Sequence, residues 1–249
     1  MRSDWYASAP LVIAHRGASA FAPENTLAAF RRAAELGADA IELDAKLTRD
    51  GTVVCHHDRT LERTTNGSGR VRDHTWDEIR RLDAGTHFSD RFAGEPIPSL
   101  EDVLRECGRS LLVNVELTNY GSPTDTLPSS VVSLVARLGA ESRVLISSFN
   151  TIALRACARL SPRLPLALLL RKDQGPLRRV LFPLLAPHEA LHLGDNLAGR
   201  AEVQRALGRA LRVHVWTVNT PERIRELVRS GVHGVITDAP DLARRALSP

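Results

Sequence analysis

The sequence predicts an α/β fold, a (β/α)₈ TIM barrel with a small insertion after the second strand. Three observations carry that expectation. Short apolar runs alternate with helical patterns from end to end, the signature of βα units feeding a parallel sheet. Eight such units fit the 249 residues, a length typical of a closed barrel rather than an open doubly wound sheet. The polar residues suited to chemistry fall at the carboxyl ends of the strands, the rim on which barrels build their sites.

The first strand is Leu11–Ala14, an aliphatic run that delivers His15 at its end. The segment "ENTLAAFRRAAEL" then has helical spacing, with Asn25 suited to the N-cap. Ala40–Leu43 is the second strand, inside "DAIELDAKL". Roughly fifty residues separate it from the helix beginning near Ser99, where a βα loop usually needs about 2–6. We assign residues 45–98 to an inserted segment holding a strand in "GTVVCHHD" that ends at His57, the turn-rich "TTNGSG" and a helical "TWDEIRRLDAG". Because it leaves the carboxyl end of a barrel strand, it should cap the catalytic face. Asn66 to Gly69 reads as a turn and not a phosphate loop, since no helix N-terminus follows it directly. Leu111–Val115, Val144–Ser147, Leu166–Leu170, Ala190–Leu193, Val213–Val218 and Gly234–Thr237 complete the eight strands. Between them fit "IALRACARL", "AEVQRALGRA" and "PERIRELVRSG", the last with Pro221 in its first turn and Gly231 at its end. Gly175–Leu191, unusually apolar and broken by Pro183 and Pro187, is the fifth helix against the barrel. No internal repeat appears, so residues 1–249 read as one domain.

Composition narrows the function. The formal net charge is +4, and the only lysines are Lys46 and Lys172. The arginines are spread over predicted helices rather than clustered, which argues against a nucleic-acid partner and suits an anionic small molecule. Cys55, Cys107 and Cys157 are odd in number and lack metal-ligand spacing, so we expect reduced, mostly buried thiols. The start of the chain does not read as a signal peptide, and the apolar run Leu164 to Leu170, broken by Pro165, is too short to cross a bilayer. A cytoplasmic protein with no stable membrane anchor is expected; the sequence assigns no oligomeric state.

His15 and His57 bracket the strand carrying Glu42 and Asp44, and Glu116 lies at the end of a later strand. Residues i and i+2 of a strand share a face, which puts Glu42 and Asp44 ~6–7 Å apart. Two such carboxylates repel each other unless a cation lies between them. With Glu116 they form an all-oxygen set that selects Mg²⁺ or Ca²⁺ over zinc. Ser148 reads as packing, as does Phe149. His56 is turned to the opposite face from His57, and little is expected of His233.

At these residues the chain resembles the glycerophosphodiester phosphodiesterases. The similar segments are "AHRGASAFAPENTLAAF", "GADAIELDAKLTRDGTVVCHHDRTLERTTNGSG", "IPSLEDVL", "NVEL", "SSFN", "VWTVN" and "GVHGVITDAPD", in order across nearly the whole chain. The resemblance implies that Glu42, Asp44 and Glu116 bind the metal, that His15 and His57 are general acid and base, and that Arg16 holds the phosphate. It also implies cleavage of a glycerophosphodiester to glycerol 3-phosphate and an alcohol, by attack of the substrate's own 2-hydroxyl and opening of a cyclic phosphate. The family strand reads E-x-K, whereas this chain has Glu116-Leu117-Thr118. A lysine is therefore missing; Thr118 offers only a hydroxyl, and Arg171 or Lys172 is the expected substitute. Trp216 fits either barrel filling or a wall against glycerol. Glu24 and Asn25 fit either a helix start or, for Asn25, a link to His15 or the metal. Two rivals remain: a phospholipase D-like enzyme for lysophospholipids, favoured if Gly175–Leu191 faces lipid, and a non-catalytic barrel that binds a phosphodiester or metal.

Overall fold

The computed structural model describes residues 4–6 and 10–248. The elements run β1 (Leu11–His15), α1 (Leu27–Glu35), β2 (Ala40–Leu47), β3 (Val53–Cys55), α2 (Trp76–Ile79), α3 (Leu100–Glu106), β4 (Leu112–Leu117) and α4 (Leu127–Arg137). They continue with β5 (Val144–Ser148), α5 (Thr151–Leu160), β6 (Leu166–Leu170), α6 (Pro176–Leu185), β7 (Ala190–Gly194), α7 (Arg200–Leu207), β8 (Arg212–Trp216), α8 (Pro221–Arg229), β9 (Gly234–Thr237) and α9 (Pro240–Leu247). Parallel pairing runs β1-β9-β8-β7-β6-β5-β4-β2, and the β1–β2 pair closes the ring. The expected (β/α)₈ barrel is therefore present, with β3 added antiparallel to β2.

Strand alternation sorts the interior. Outward positions such as Val12, Ile41, Val113 and Ile146 pack under the helices. Inward positions Leu11, Ile13, Ala40, Leu112, Leu145 and Ala167 fill the amino end of the barrel, where Trp5 packs beneath them. Further along the same inward faces, the residues become ionisable: Ala40 is followed by Glu42 and Asp44, Leu112 by Asn114 and Glu116. Register then joins them, because β1–β2 sets His15 opposite Glu42 and β2–β4 sets Asp44 opposite Glu116.

The inserted segment sits on this rim with its own small core of Val54, Leu61, Val71, Ile79, Ala84 and Ile97. Two expectations are corrected. Residues 45–47 continue β2 rather than starting the insertion. The helix expected over "TWDEIRRLDAG" is only α2, four residues opened by a Thr75–Glu78 capping box. Its continuation is cut off by Asp83, whose carboxylate gathers the N–H groups of Gly85, Thr86 and Gly94 into turns. β8 also ends at Trp216, two residues before the expected limit. Cys55, Cys107 and Cys157 are free and buried. Among the described residues, no helix is long and apolar enough to cross a membrane.

After β1 the chain must turn sharply so that α1 packs back on the barrel. Gly17 has φ +83°, and a Cβ there would lie 2.7 Å from Ala29. Gly51 has the same φ but open space around it. Both sites carry the left-handed penalty of roughly 1–2 kcal/mol for alanine, and only Gly17 adds a clash. Gly17→Ala should therefore lower the urea midpoint clearly more than Gly51→Ala; equal losses would contradict the close approach.

Candidate active site

Oxygen atoms of Glu42, Asp44 and Glu116 all lie within 4.8 Å of one another. Glu42 and Asp44 are buried, and Glu116 is partly open to a cavity of about 530 Å³. Burial, followed by the charges of Asp44 and Glu116, pushes the Glu42 carboxyl well above its ordinary range. Burial and Asp44 likewise push Glu116 up to about 8. Asp44 moves the other way: burial opposes its charge, but Arg16, the two histidines and the Asn25 hydrogen bond outweigh it. Three converging carboxylates, oxygen donors only, fit a hard divalent cation, which would offset the burial and repulsion that push Glu42 and Glu116 up.

The loop after β1 fixes this cluster. Asn25 does not cap α1; Thr26 does, accepting from Ala29 N. Asn25 instead has φ 59°. Its amide donates to Asp44 Oδ2 at 2.9 Å and accepts from Asp44 N at 3.1 Å. Asn25 thus neither caps α1 nor bonds His15 as expected; its partner is the carboxylate Asp44. Arg16 is also left-handed, φ 54°; its N–H donates to Glu42 Oε2 at 3.0 Å and its Nη1 to Glu24 Oε1 at 2.9 Å. Its Nε lies 3.2 Å from Asp44 Oδ2. Positive φ at two non-glycine residues is costly and persists only where surrounding bonds hold it.

Each histidine is oriented by a carboxylate. His15 Nδ1 donates to Asp238 Oδ1 at 2.7 Å, and His57 Nδ1 to Asp58 Oδ1 at 2.6 Å. Burial opposes ionisation of Asp238, but hydrogen bonds from His15, Asn219 and Ser19 hold it at about 2. The Arg63 hydrogen bonds hold Asp58 well below the usual carboxylate range. An ionised carboxylate only accepts, so Nδ1 carries the proton in both rings and Nε2 is left for the cavity. His57 reaches Arg16 through a chain of charges: Arg63 binds Asp58 and, with two nitrogens, Glu24 at 2.7 and 2.9 Å, while Glu24 also accepts from Arg16. The insertion is thereby tied to the β1 loop. Asp238, Asp58 and Arg63 were not among the residues expected from sequence, although Asp238 follows β9 at the same rim that drew attention to His15.

The remaining expected residues divide. Trp216 lines the cavity while its Nε1 donates to His192 O at 3.1 Å, so it both fills and walls the barrel. Phe149, expected to be packing only, lines the same cavity edge-to-face with Tyr120 and Trp216. Tyr120 donates its hydroxyl to Glu116. Ser148 is structural, donating to Leu117 O, and buried His56 bonds the Thr60 carbonyl. Arg171 lines the cavity above the Phe149 ring, whereas Lys172 is exposed and starts a short 3₁₀ turn outside it. Thr118 is buried, and its hydroxyl meets Lys46 Nζ at 2.7 Å.

Residues 15–242 match the model of the glycerophosphoryl diester phosphodiesterase family. A glycerophosphodiester phosphodiesterase of Caldanaerobacter subterraneus subsp. tengcongensis is 40% identical over 93% of this chain and 95% of the relative. A phosphodiesterase from Oleispira antarctica, solved with the product sn-glycerol-3-phosphate, superposes with TM-score 0.86 at 28% identity over 98% of each chain. A glycerophosphodiester phosphodiesterase from Agrobacterium tumefaciens gives 0.77 at 29% identity, over 98% of this chain and all 100% of that one.

The charge chain has a pH signature. Burial opposes the charge of Glu24, but Arg63 and Arg16 hold its carboxyl at about 2, against an ordinary 4.5. A lowered carboxylate stabilises the fold above its unfolded pKa, and that stability is lost as pH falls through the folded value. Glu24→Gln should cost roughly 1–3 kcal/mol at neutral pH, with the gap to wild type narrowing as pH falls from about 4.5 toward 2. Urea unfolding across that range checks it; a gap independent of pH contradicts it.

Proposed function

The chain belongs to the glycerophosphoryl diester phosphodiesterase family, and from that premise we propose that it hydrolyses glycerophosphodiesters to sn-glycerol 3-phosphate and a free alcohol at the cavity just described. The observation that carries this reading is the triad Glu42, Asp44 and Glu116 sharing one cavity with two imidazoles, each backed by its own carboxylate. The triad would hold the divalent cation, Mg²⁺ or Ca²⁺ by the oxygen-only donor set. When bound, such an ion supplies Lewis-acid neutralisation of the charge gathering on the phosphoryl oxygens.

The chain's own groups do the rest. Arg16, braced by Glu24 and Asp44, presents a guanidinium of fixed charge to the phosphate. The Nε2 atoms of His15 and His57 serve as acid and base: one takes the proton of the attacking hydroxyl and the other gives one to the leaving alcohol oxygen. The carboxylates behind them stabilise whichever ring is positively charged. Trp216, Phe149 and Tyr120 form the apolar wall for the glycerol carbons. Of the two cations expected after β6, Arg171 lines the cavity wall and Lys172 lies outside it. The free, buried cysteines support a reducing cytoplasmic setting.

One observation favours a second substrate class. α6 presents Leu177, Val180, Leu181, Leu184 and Leu185 to solvent, with Leu184 74% exposed, while Phe182 of the same helix lines the cavity. An acyl chain leaving the mouth along α6 would make lysophospholipids substrates as well. Comparing kcat/KM for glycerophosphocholine and lysophosphatidylcholine separates the readings; a preference for the lipid lost in Leu181→Ser supports the second.

Chelator-treated protein should be inactive and recover with Mg²⁺, Ca²⁺ or Mn²⁺; full activity after verified metal removal overturns the assignment of the triad. His15→Ala and His57→Ala should each lose at least ~10²-fold in kcat while keeping their melting transitions. Near-normal kcat for His57→Ala would reduce the insertion to a cover.

A further inference from the structure

Lys46 follows Glu42 and Asp44 at i+2 spacing on β2, so all three side chains leave the same face of the strand. Its Nζ donates to Thr118 Oγ1 at 2.7 Å, and Thr118 gives its own hydroxyl proton to Ala45 O at 2.8 Å. Thr118 lies two residues past Glu116, so the ammonium stands at the seam of β2 and β4 beside the triad. Burial works against its charge, while Asp44, Glu116 and Asp58 favour it from nearby. Yet among the described residues no carboxylate lies within ion-pair distance of Nζ; Arg16 and Arg171, which line the cavity, and Arg63, which braces Glu24 and Asp58, are each paired with one. A largely buried ammonium whose protein partner is a neutral hydroxyl keeps donors and charge for an anion.

Charge balance leads to the same place. Three carboxylates against one divalent ion leave a negative charge, and Arg16 is shared with Glu24. A phosphodiester anion entering that field is repelled unless a further cation is present. We propose that Lys46, steadied by Thr118, is a substrate-binding residue whose ammonium meets a non-bridging phosphate oxygen beside the carboxylate triad. The pair replaces the cation that β4 lacks at Thr118: the charge comes from the neighbouring strand and β4 keeps only its anchor. This rests on the phosphodiesterase reading of the cavity.

The test uses sn-glycerol 3-phosphate as the probe, measured as a competitive inhibitor and by calorimetry, with Mn²⁺ affinity titrated in parallel. Lys46→Met should weaken binding of the probe about 10- to 100-fold, the range of a charge-assisted hydrogen bond, and raise KM for glycerophosphocholine. Mn²⁺ should bind as tightly as before or tighter, because a like charge has been removed from beside its ligands. Moving the cation back, in Lys46→Thr combined with Thr118→Lys, should recover most of the probe affinity. A merely structural lysine would instead loosen metal and probe together and lower the melting temperature, with no recovery in the exchanged variant. Unchanged probe affinity in Lys46→Met, or that joint loss, overturns the proposal. If wild-type protein neither binds the probe nor turns over glycerophosphocholine, the functional reading fails first and this inference falls with it.

Discussion

Three carboxylates that converge in a low-dielectric pocket are the constraint around which this barrel is arranged. Glu42, Asp44 and Glu116 come from adjacent strands with Asp44 and Glu116 in register, so the sheet itself forces them together. Their repulsion has to be met by cations and hydrogen-bond donors supplied from elsewhere, and most of the unusual local structure answers to that need. Arg16 and Asn25 adopt left-handed backbone conformations that bring an N–H to Glu42 and an amide to Asp44. The three-oxygen set that remains is suited to a divalent ion and leaves little for softer metals.

The same constraint explains the inserted segment. A loop free to move would place His57 anywhere over the mouth. Here it is fastened by β3 pairing with β2, by Arg63 bridging Asp58 to Glu24 and by Glu95 accepting from Ala28 N. Glu24 in turn holds Arg16, so that guanidinium and the imidazole of the insertion share one anchor. An exposed ion pair in isolation contributes little. The unbroken chain from His57 through Asp58, Arg63 and Glu24 to Arg16 fixes its two ends relative to each other, and fixed geometry is what proton transfer requires.

The barrel was legible because its strands are short, aliphatic and bounded by helical periods, and because the interior face changes from apolar to ionisable along β2 and β4. The triad and both histidines followed from strand alternation and the carboxyl-end rule. What escaped was whatever depends on contacts between segments distant in the chain. Asn25 looks like a cap because capping chemistry is local, and nothing local announces that Asp44 binds its amide while Thr26 takes over the cap. Lys46 and Thr118 meet across 72 positions of sequence, a contact that no local pattern marks. Phe149 reads as packing because an aromatic residue beside a strand end carries no sequence mark of the cavity it lines. The helix after Thr75 stops early because Asp83 turns the chain with its side chain, a competition that periodicity does not register.

Diffraction with anomalous scattering from Mn²⁺-soaked crystals tests most directly whether these three side chains hold one hard cation. The account predicts a single strong peak bounded by Glu42, Asp44 and Glu116, with oxygen distances of about 2.0–2.6 Å typical of hard divalent ions, and loss of that peak in Glu116→Gln. A peak coordinated by His15 or His57, or none at this cluster with Mn²⁺ in excess, would contradict it.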